Sequence, residues 1–147
     1  METVSITLTK ATLLLEIRQK SHLEVQNIQD AEARDNVRAG VEKVVEVERC
    51  LKEAVTLLTR ICSRYVTATT DVTASYGFTL TMSSRRKSVK SDAIQDAMED
   101  FAVQYALMKF YSSVSQADLS SKHAALAQDA ELRINELLYS KKEPTYV

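Results

Sequence analysis

The chain has 147 residues, 45% of them hydrophobic and 27% charged, and a formal net charge of −1. A chain of this length fits one domain whose core needs no metal or disulfide. Its near-zero charge gives no bulk attraction to nucleic acid or to anionic lipid, and its two glycines and one proline favour long helices over a loop-rich or all-β design.

The opening Met1-Glu2-Thr3-Val4 lacks the basic and apolar regions of a secretory signal. No apolar run approaches the ~18 residues that would span a bilayer. Val4, Ile6 and Leu8 alternate with Thr3, Ser5 and Thr7, the period of a short strand. Thr9 suits the N-cap of a helix whose stripe, Leu13, Leu14 and Ile17, fades near Ser21 and His22. A single long helix is predicted over residues 30–65, where Val37, Val41, Val44, Leu51, Val55, Leu58, Cys62 and Tyr65 recur at three-four spacing. It would run about 50 Å, and Gly40 is its weak point. Cys50 and Cys62 would sit about 18 Å apart on that helix, too far to bond within the chain. Both are read as reduced thiols of a cytoplasmic protein.

From Val72 to Met82 the apolar residues Val72, Ala74, Tyr76, Phe78, Leu80 and Met82 fall on even positions, with small and hydroxyl residues between them. A strand this long requires a partner, supplied by residues 3–8, by residues 65–70 or by a second copy. The alternation is read in two ways: an inner face packed on the protein's own helices, or an exposed edge extending a neighbour's sheet. A basic linker follows, Arg85, Arg86, Lys87 and Lys90. It is either a solvated connection or a contact for phosphates or an acidic surface. Ser91 caps a helix to about Ser113 with the stripe Ile94, Met98, Phe101, Tyr105 and Met108. Ser115 or Asp118 starts a last helix to about Tyr139, whose stripe is Leu119, His123, Leu126, Ala130, Ile134 and Leu137. The short link predicts an antiparallel helical hairpin. Residues 140–147 are read as an exposed, flexible arm.

The sequence nominates no chemistry. Isolated Gly40 and Gly77 do not make a phosphate-binding loop, and two scattered Cys with two scattered His do not make a zinc site. His123 lies on the apolar face of its helix and is read as a half-buried histidine satisfied by a neighbouring hydroxyl, because no group to orient it is evident. His22 is read as a helix-end or surface residue. The expectation is therefore no enzyme and no cofactor.

The stretches from Asp92 to Val103, from Ala106 to Tyr111 and from Ile134 to Pro144 resemble small proteins encoded among the structural genes of tailed phages and prophages of gut bacteria. In these a β-segment precedes a helical hairpin that ends in a Leu-Leu-Tyr and basic-Pro tail. They are similar in plan to head–tail connector, or neck, subunits. Phe110-Tyr111 stands here where a Trp-aromatic pair often sits. The resemblance implies homo-oligomeric ring assembly, contacts with portal or other neck and tail proteins, DNA in the lumen without sequence-specific binding, no membrane, and a virion protein made in the bacterial host cytoplasm.

The expected architecture is α+β and mostly helical. About four helices form a bundle, with a small antiparallel β-segment at about 65–83 between the second and third, in one domain over 1–139. Tyr76, Phe78, Leu80 and Met82 on the strand, Arg85, Arg86 and Lys87 in the linker, and Pro144 and Tyr146 in the arm are the candidate assembly interface. The rival reading is an intracellular helical adaptor or chaperone-like module.

Overall fold

A computed structural model describes residues 2–40, 43–82 and 91–139 of the chain. The fold is α+β and mostly helical. In chain order the elements are β1 (Glu2–Thr9), α1 (Lys10–Val25), α2 (Ala31–Val37), α3 (Val44–Ile61), β2 (Val66–Asp71), β3 (Ser75–Met82), α4 (Ser91–Ser113) and α5 (Ala117–Tyr139).

The three strands form one antiparallel sheet in the order β1-β3-β2. Strand β3 is therefore the middle strand. Val4 of β1 faces Leu80, and Ile6 faces Phe78. On the other side Thr69 faces Phe78 and Asp71 faces Tyr76, after an irregularity between Val66 and Ala68. Period-two alternation puts Val4, Ile6, Leu8, Tyr76, Phe78, Leu80 and Met82 on one face, and all seven are buried. The hydroxyl residues Thr3, Ser5 and Thr7 face out. The strand is shorter than its alternation suggests. Val72 is 54% exposed in the β2–β3 turn, where its N–H bonds the Ser75 carbonyl at 3.0 Å.

The expected helix over 30–65 is two helices. Asp30 caps α2 by accepting from the Glu32 N–H at 3.0 Å, and Arg38 is already extended (φ −88°, ψ 134°). The chain leaves the helix because the Ala39 N–H has a buried partner elsewhere, the Ser21 hydroxyl on α1 at 2.8 Å. The break thus falls at the glycine that marked the weak point. Helix α3 then presents Val47, Cys50, Leu51, Ala54 and Leu58 to the core, while Val45 stays 78% exposed.

Helix α4 buries Ile94, Met98, Phe101, Val103, Leu107 and Phe110 among others, a wider face than one stripe, and from Phe101 to Leu107 only the half-buried Tyr105 is not fully covered. Such a helix sits at the centre of its domain. It packs on α3, α5, α1 and β1. A tight turn joins it to α5, with Ser115 at φ 62°, the Gln116 N–H on the Tyr111 carbonyl at 2.9 Å and the Ser120 hydroxyl on the Met108 carbonyl at 3.0 Å. Descending partners for ascending α5 residues make the pair antiparallel, as expected. The buried row of α5 is His123, Ala127, Ala130, Ile134 and Leu138. Leu126 is displaced to the surface at 37% exposure.

Burying one large apolar side chain stabilises the fold by about 1.5–3 kcal/mol, and an unpaired carboxylate in its place costs far more. Phe78→Asp or Leu80→Asp should therefore abolish the cooperative thermal transition and the native circular dichroism spectrum. A variant that keeps both would show that β3 is not core.

Candidate functional site

Among the candidate interface residues, Tyr76, Phe78, Leu80 and Met82 are corrected by the structure. They are buried (5% exposed or less), and β3 is paired along both of its edges. They hold the sheet on the helices and offer no docking surface. Arg85, Arg86, Lys87, Pro144 and Tyr146 lie outside the described residues.

The structure instead assembles a polar cluster that spacing did not reveal. It joins the end of α1 to the α4–α5 hairpin. His123, 2% exposed, has Nδ1 2.5 Å from Gln104 Oε1 on α4. Its Nε2 lies 2.8 Å from both carboxylate oxygens of Glu24 on α1. The Tyr111 ring stacks on the imidazole at 5.6 Å, and the Tyr111 hydroxyl reaches Ser21 Oγ at 3.0 Å and Glu24 at 3.2 Å. Lys122 donates to Glu24 at 2.9 Å. The Gln104 amide nitrogen reaches Asp100 at 3.3 Å. The hydroxyl partner expected for His123 is thus a carboxylate and an amide. Glu24 was missed because it lies 99 positions from His123 on a helix whose apolar stripe seemed to have ended. The signal was present in Ser21 and Val25, both buried, which continue the spacing of Leu13 and Ile17.

A histidine held by a carboxylate has the outline of a base and its orienter. Here both ring nitrogens are engaged, and the ring is packed under Tyr111, so the cluster ties three helices together. Both partners, the Glu24 carboxylate at Nε2 and Gln104 Oε1 at Nδ1, are acceptors, so an imidazolium donates to both whereas a neutral ring donates to one of them. Burial pushes the imidazole below its ordinary value, against the pull of Glu24. Burial alone would raise the Glu24 carboxyl, but hydrogen bonds from Lys122 and His123 outweigh it and hold the group below its usual range. Burial raises the Tyr111 phenol. Glu24 and His123 both bind protons less readily folded than unfolded, so both contribute stability at neutral pH that acid removes.

Three surface features are open. An apolar groove of about 580 Å³ is lined by Leu15, Arg18, Gln19, His22 and Leu23 of α1 with Arg38 and Gly40 beyond α2. His22 is thus a surface residue at the end of α1, as read. Strand β2 is exposed at every residue but the half-buried Val66, and its outer edge has no partner among the described residues. Its approach to β3 depends on Gly77, where a Cβ would strike the Thr70 hydroxyl. Lys10 clasps the sheet end, bonding Asp71 at 2.8 Å with its ammonium 4.4 Å from the Tyr76 ring centroid. Helix α5 exposes Leu132 at 62%.

No three His, Cys, Asp or Glu side chains among the described residues gather as a metal site. No described helix is long and apolar enough to cross a membrane. Cys50 and Cys62 are free and buried, and burial pushes the Cys62 thiol up to about 12 and raises Cys50 as well. No family model, curated protein or solved structure matches the chain.

Three measurements check this geometry. Thermal stability should fall as the pH drops below ~6.5, the ordinary histidine value, and His123→Gln should flatten the upper part of that fall. Glu24→Ala, which removes the partner of His123 Nε2 and one of the two partners of the Tyr111 hydroxyl, should cost about 1–3 kcal/mol in urea unfolding at neutral pH. Both thiols should also be silent to an aromatic disulfide reagent at pH ~8 in the native protein and react fully once it is unfolded, because the thiolate is the nucleophile. Rapid native labelling would contradict their burial.

Proposed function

We propose that the chain is a structural subunit of a phage virion, of the neck or tail, that works by homo-oligomeric assembly as a head–tail connector does. The observation that supports this best is the open sheet. Strand β2 has a solvated body and an unpartnered outer edge among the described residues, on the opposite side of the sheet from the equally unpartnered edge of β1. An unpaired edge is a template for another strand. Two different open edges on one subunit make a head-to-tail contact, the kind that closes into rings. The plan agrees with the resemblance as well: a β-hairpin is followed by an antiparallel helical pair. On this reading the partners are further copies and the portal or neighbouring neck and tail proteins, with DNA passing through the lumen unread. Synthesis takes place in the host cytoplasm.

A second reading, an intracellular helical adaptor, draws on the apolar groove of α1, which has the form of a helix-binding site.

Peptide mass spectrometry on density-purified, nuclease-resistant particles from the source culture separates the two. The virion reading expects this chain in fixed ratio to a capsid protein. Absence from particles together with abundance in the host's soluble fraction would discard it in favour of the adaptor.

A further inference from the structure

His123 stands in a row of hydrogen bonds whose directions are constrained at both ends. At one end Asp100 is a carboxylate, which only accepts, so Gln104 turns its amide nitrogen toward it at 3.3 Å. The amide oxygen of Gln104 is then the atom that faces His123 Nδ1, at 2.5 Å. At the other end the Glu24 carboxylate lies 2.8 Å from Nε2. The ring is therefore set between two acceptors, and only an imidazolium, with a proton on each nitrogen, serves both.

A neutral ring has one proton to give. Burial would raise the Glu24 carboxyl, yet hydrogen bonds from Lys122 and His123 hold it below its usual range. Glu24 is thus a charged acceptor, stronger than an amide oxygen, and it keeps the proton on Nε2. Nδ1 is left with a lone pair against Gln104 Oε1, a contact that two acceptors do not hold. Turning the Gln104 amide by half a turn brings an N–H to Nδ1 and moves the conflict outward, because Oε1 then faces Asp100. There it can be resolved. Asp100 is half-exposed and has a second partner, the exposed Arg133, at 3.6 Å.

The groups that act on the ring come from the three helices that meet there: Glu24 and Lys20 from α1, Tyr111 from α4, and Lys122 from α5. Burial opposes the second proton most, Glu24 favours it, and the two lysines oppose it. The change of charge therefore falls below ~6.5, the ordinary histidine value.

We propose that the Gln104 amide is a two-position relay that reports the protonation of the buried His123 to Asp100 and Arg133 at the surface. In the acid form the amide oxygen receives the Nδ1 proton, and Asp100 is shared between Gln104 and Arg133. In the neutral form the amide nitrogen donates to Nδ1, and Asp100 turns to Arg133 alone. A proton taken up inside the fold thus re-pairs a carboxylate on the α4–α5 hairpin by rotating one side chain. The relay lies within a single chain, so it operates in a free copy as in an assembled one.

A pH titration of the full isotope-labelled chain by nuclear magnetic resonance tests the relay. Above the His123 midpoint the ring signals should show a protonated Nε2 and a bare Nδ1. As the pH falls, Nδ1, the Gln104 side-chain amide and the Asp100 carboxyl carbon should change together, with one midpoint. Asp100→Asn, at a half-exposed position, removes the carboxylate that holds the amide oxygen toward the ring. It should lower the His123 midpoint by about half a unit to one unit, the worth of one hydrogen bond to the charged ring, and leave the circular dichroism spectrum unchanged. Gln104→Met keeps the bulk of the side chain and removes both of its polar ends. In that variant His123 should still titrate, and the Asp100 carbon should lose its step at the His123 midpoint. Gln104 amide signals that stay fixed while His123 titrates would overturn the relay. So would a neutral ring protonated at Nδ1, an Asp100→Asn chain with an unchanged midpoint, or a ring whose protonation never changes in the folded chain.

Discussion

The fold depends on one constraint, the burial of the middle of α4 on every side. Between Phe101 and Leu107 every residue of this helix is buried except the half-buried Tyr105, so that stretch has no face left for water and must be enclosed. The sheet, α1, α3 and α5 are the enclosure, and each supplies one apolar face. This accounts for the arrangement better than any local signal does. The inner residues of β3 and β1 cover one side, the row Leu51, Ala54 and Leu58 of α3 another, and the tight Ser115 turn folds α5 back along its whole length. The enclosure leaves one difficulty. Gln104, 5% exposed, places an amide inside an apolar shell, and an unpaired amide there is costly. His123 meets that amide, and Glu24 meets His123. The polar chain therefore runs outward from the central helix until it reaches Lys122 at the surface, and every buried member has a partner.

The cluster also settles how the first half of the chain is held. Ser21 takes two hydrogen bonds, from Tyr111 and from the Ala39 backbone. The same hydroxyl therefore fastens α1 to α4 and fixes the point where the chain turns between α2 and α3. The wall of the α1 groove is rigid for that reason, although the groove itself is on the surface. A firm apolar groove with a basic rim is suited to recognition, whereas the same residues on a loose segment would close over one another.

Much of the fold was legible from the residues. The last two helices and the alternation at Tyr76 to Met82 followed from period and turn chemistry, whereas residues 3–8 were one of three partners that the period allowed for the strand. Legibility failed where a residue's environment is set by distant chain. The break at Arg38 to Gly40 depends on Ser21, and periodicity within residues 30–65 does not contain that contact. Leu126 and Val45 fit apolar stripes by spacing yet face outward, because enclosing a central helix rotates the covering helices by a fraction of a turn. The strand was read with the right period but its candidate interface was misplaced: apolar alternation identifies a buried face without saying whether the covering surface belongs to the same chain. The candidate site was almost invisible, since Glu24, Gln104 and Ser21 are ordinary surface residues until the helices meet.

The sheet also has a consequence for how the chain acquires its shape during synthesis. Among the described residues β1 pairs only with β3, and Glu2 waits for Met82 across about 80 positions. Closing so long a loop costs entropy before any pairing repays it. While the ribosome is still making the middle of the chain, Val4, Ile6 and Leu8 form an apolar strand with no mate. The α4–α5 hairpin, by contrast, is local and can zip as it emerges. Strand β1 is thus made long before β3 and is among the last elements to be placed. Throughout that interval the nascent chain depends on its alternating threonines and serines to remain in solution.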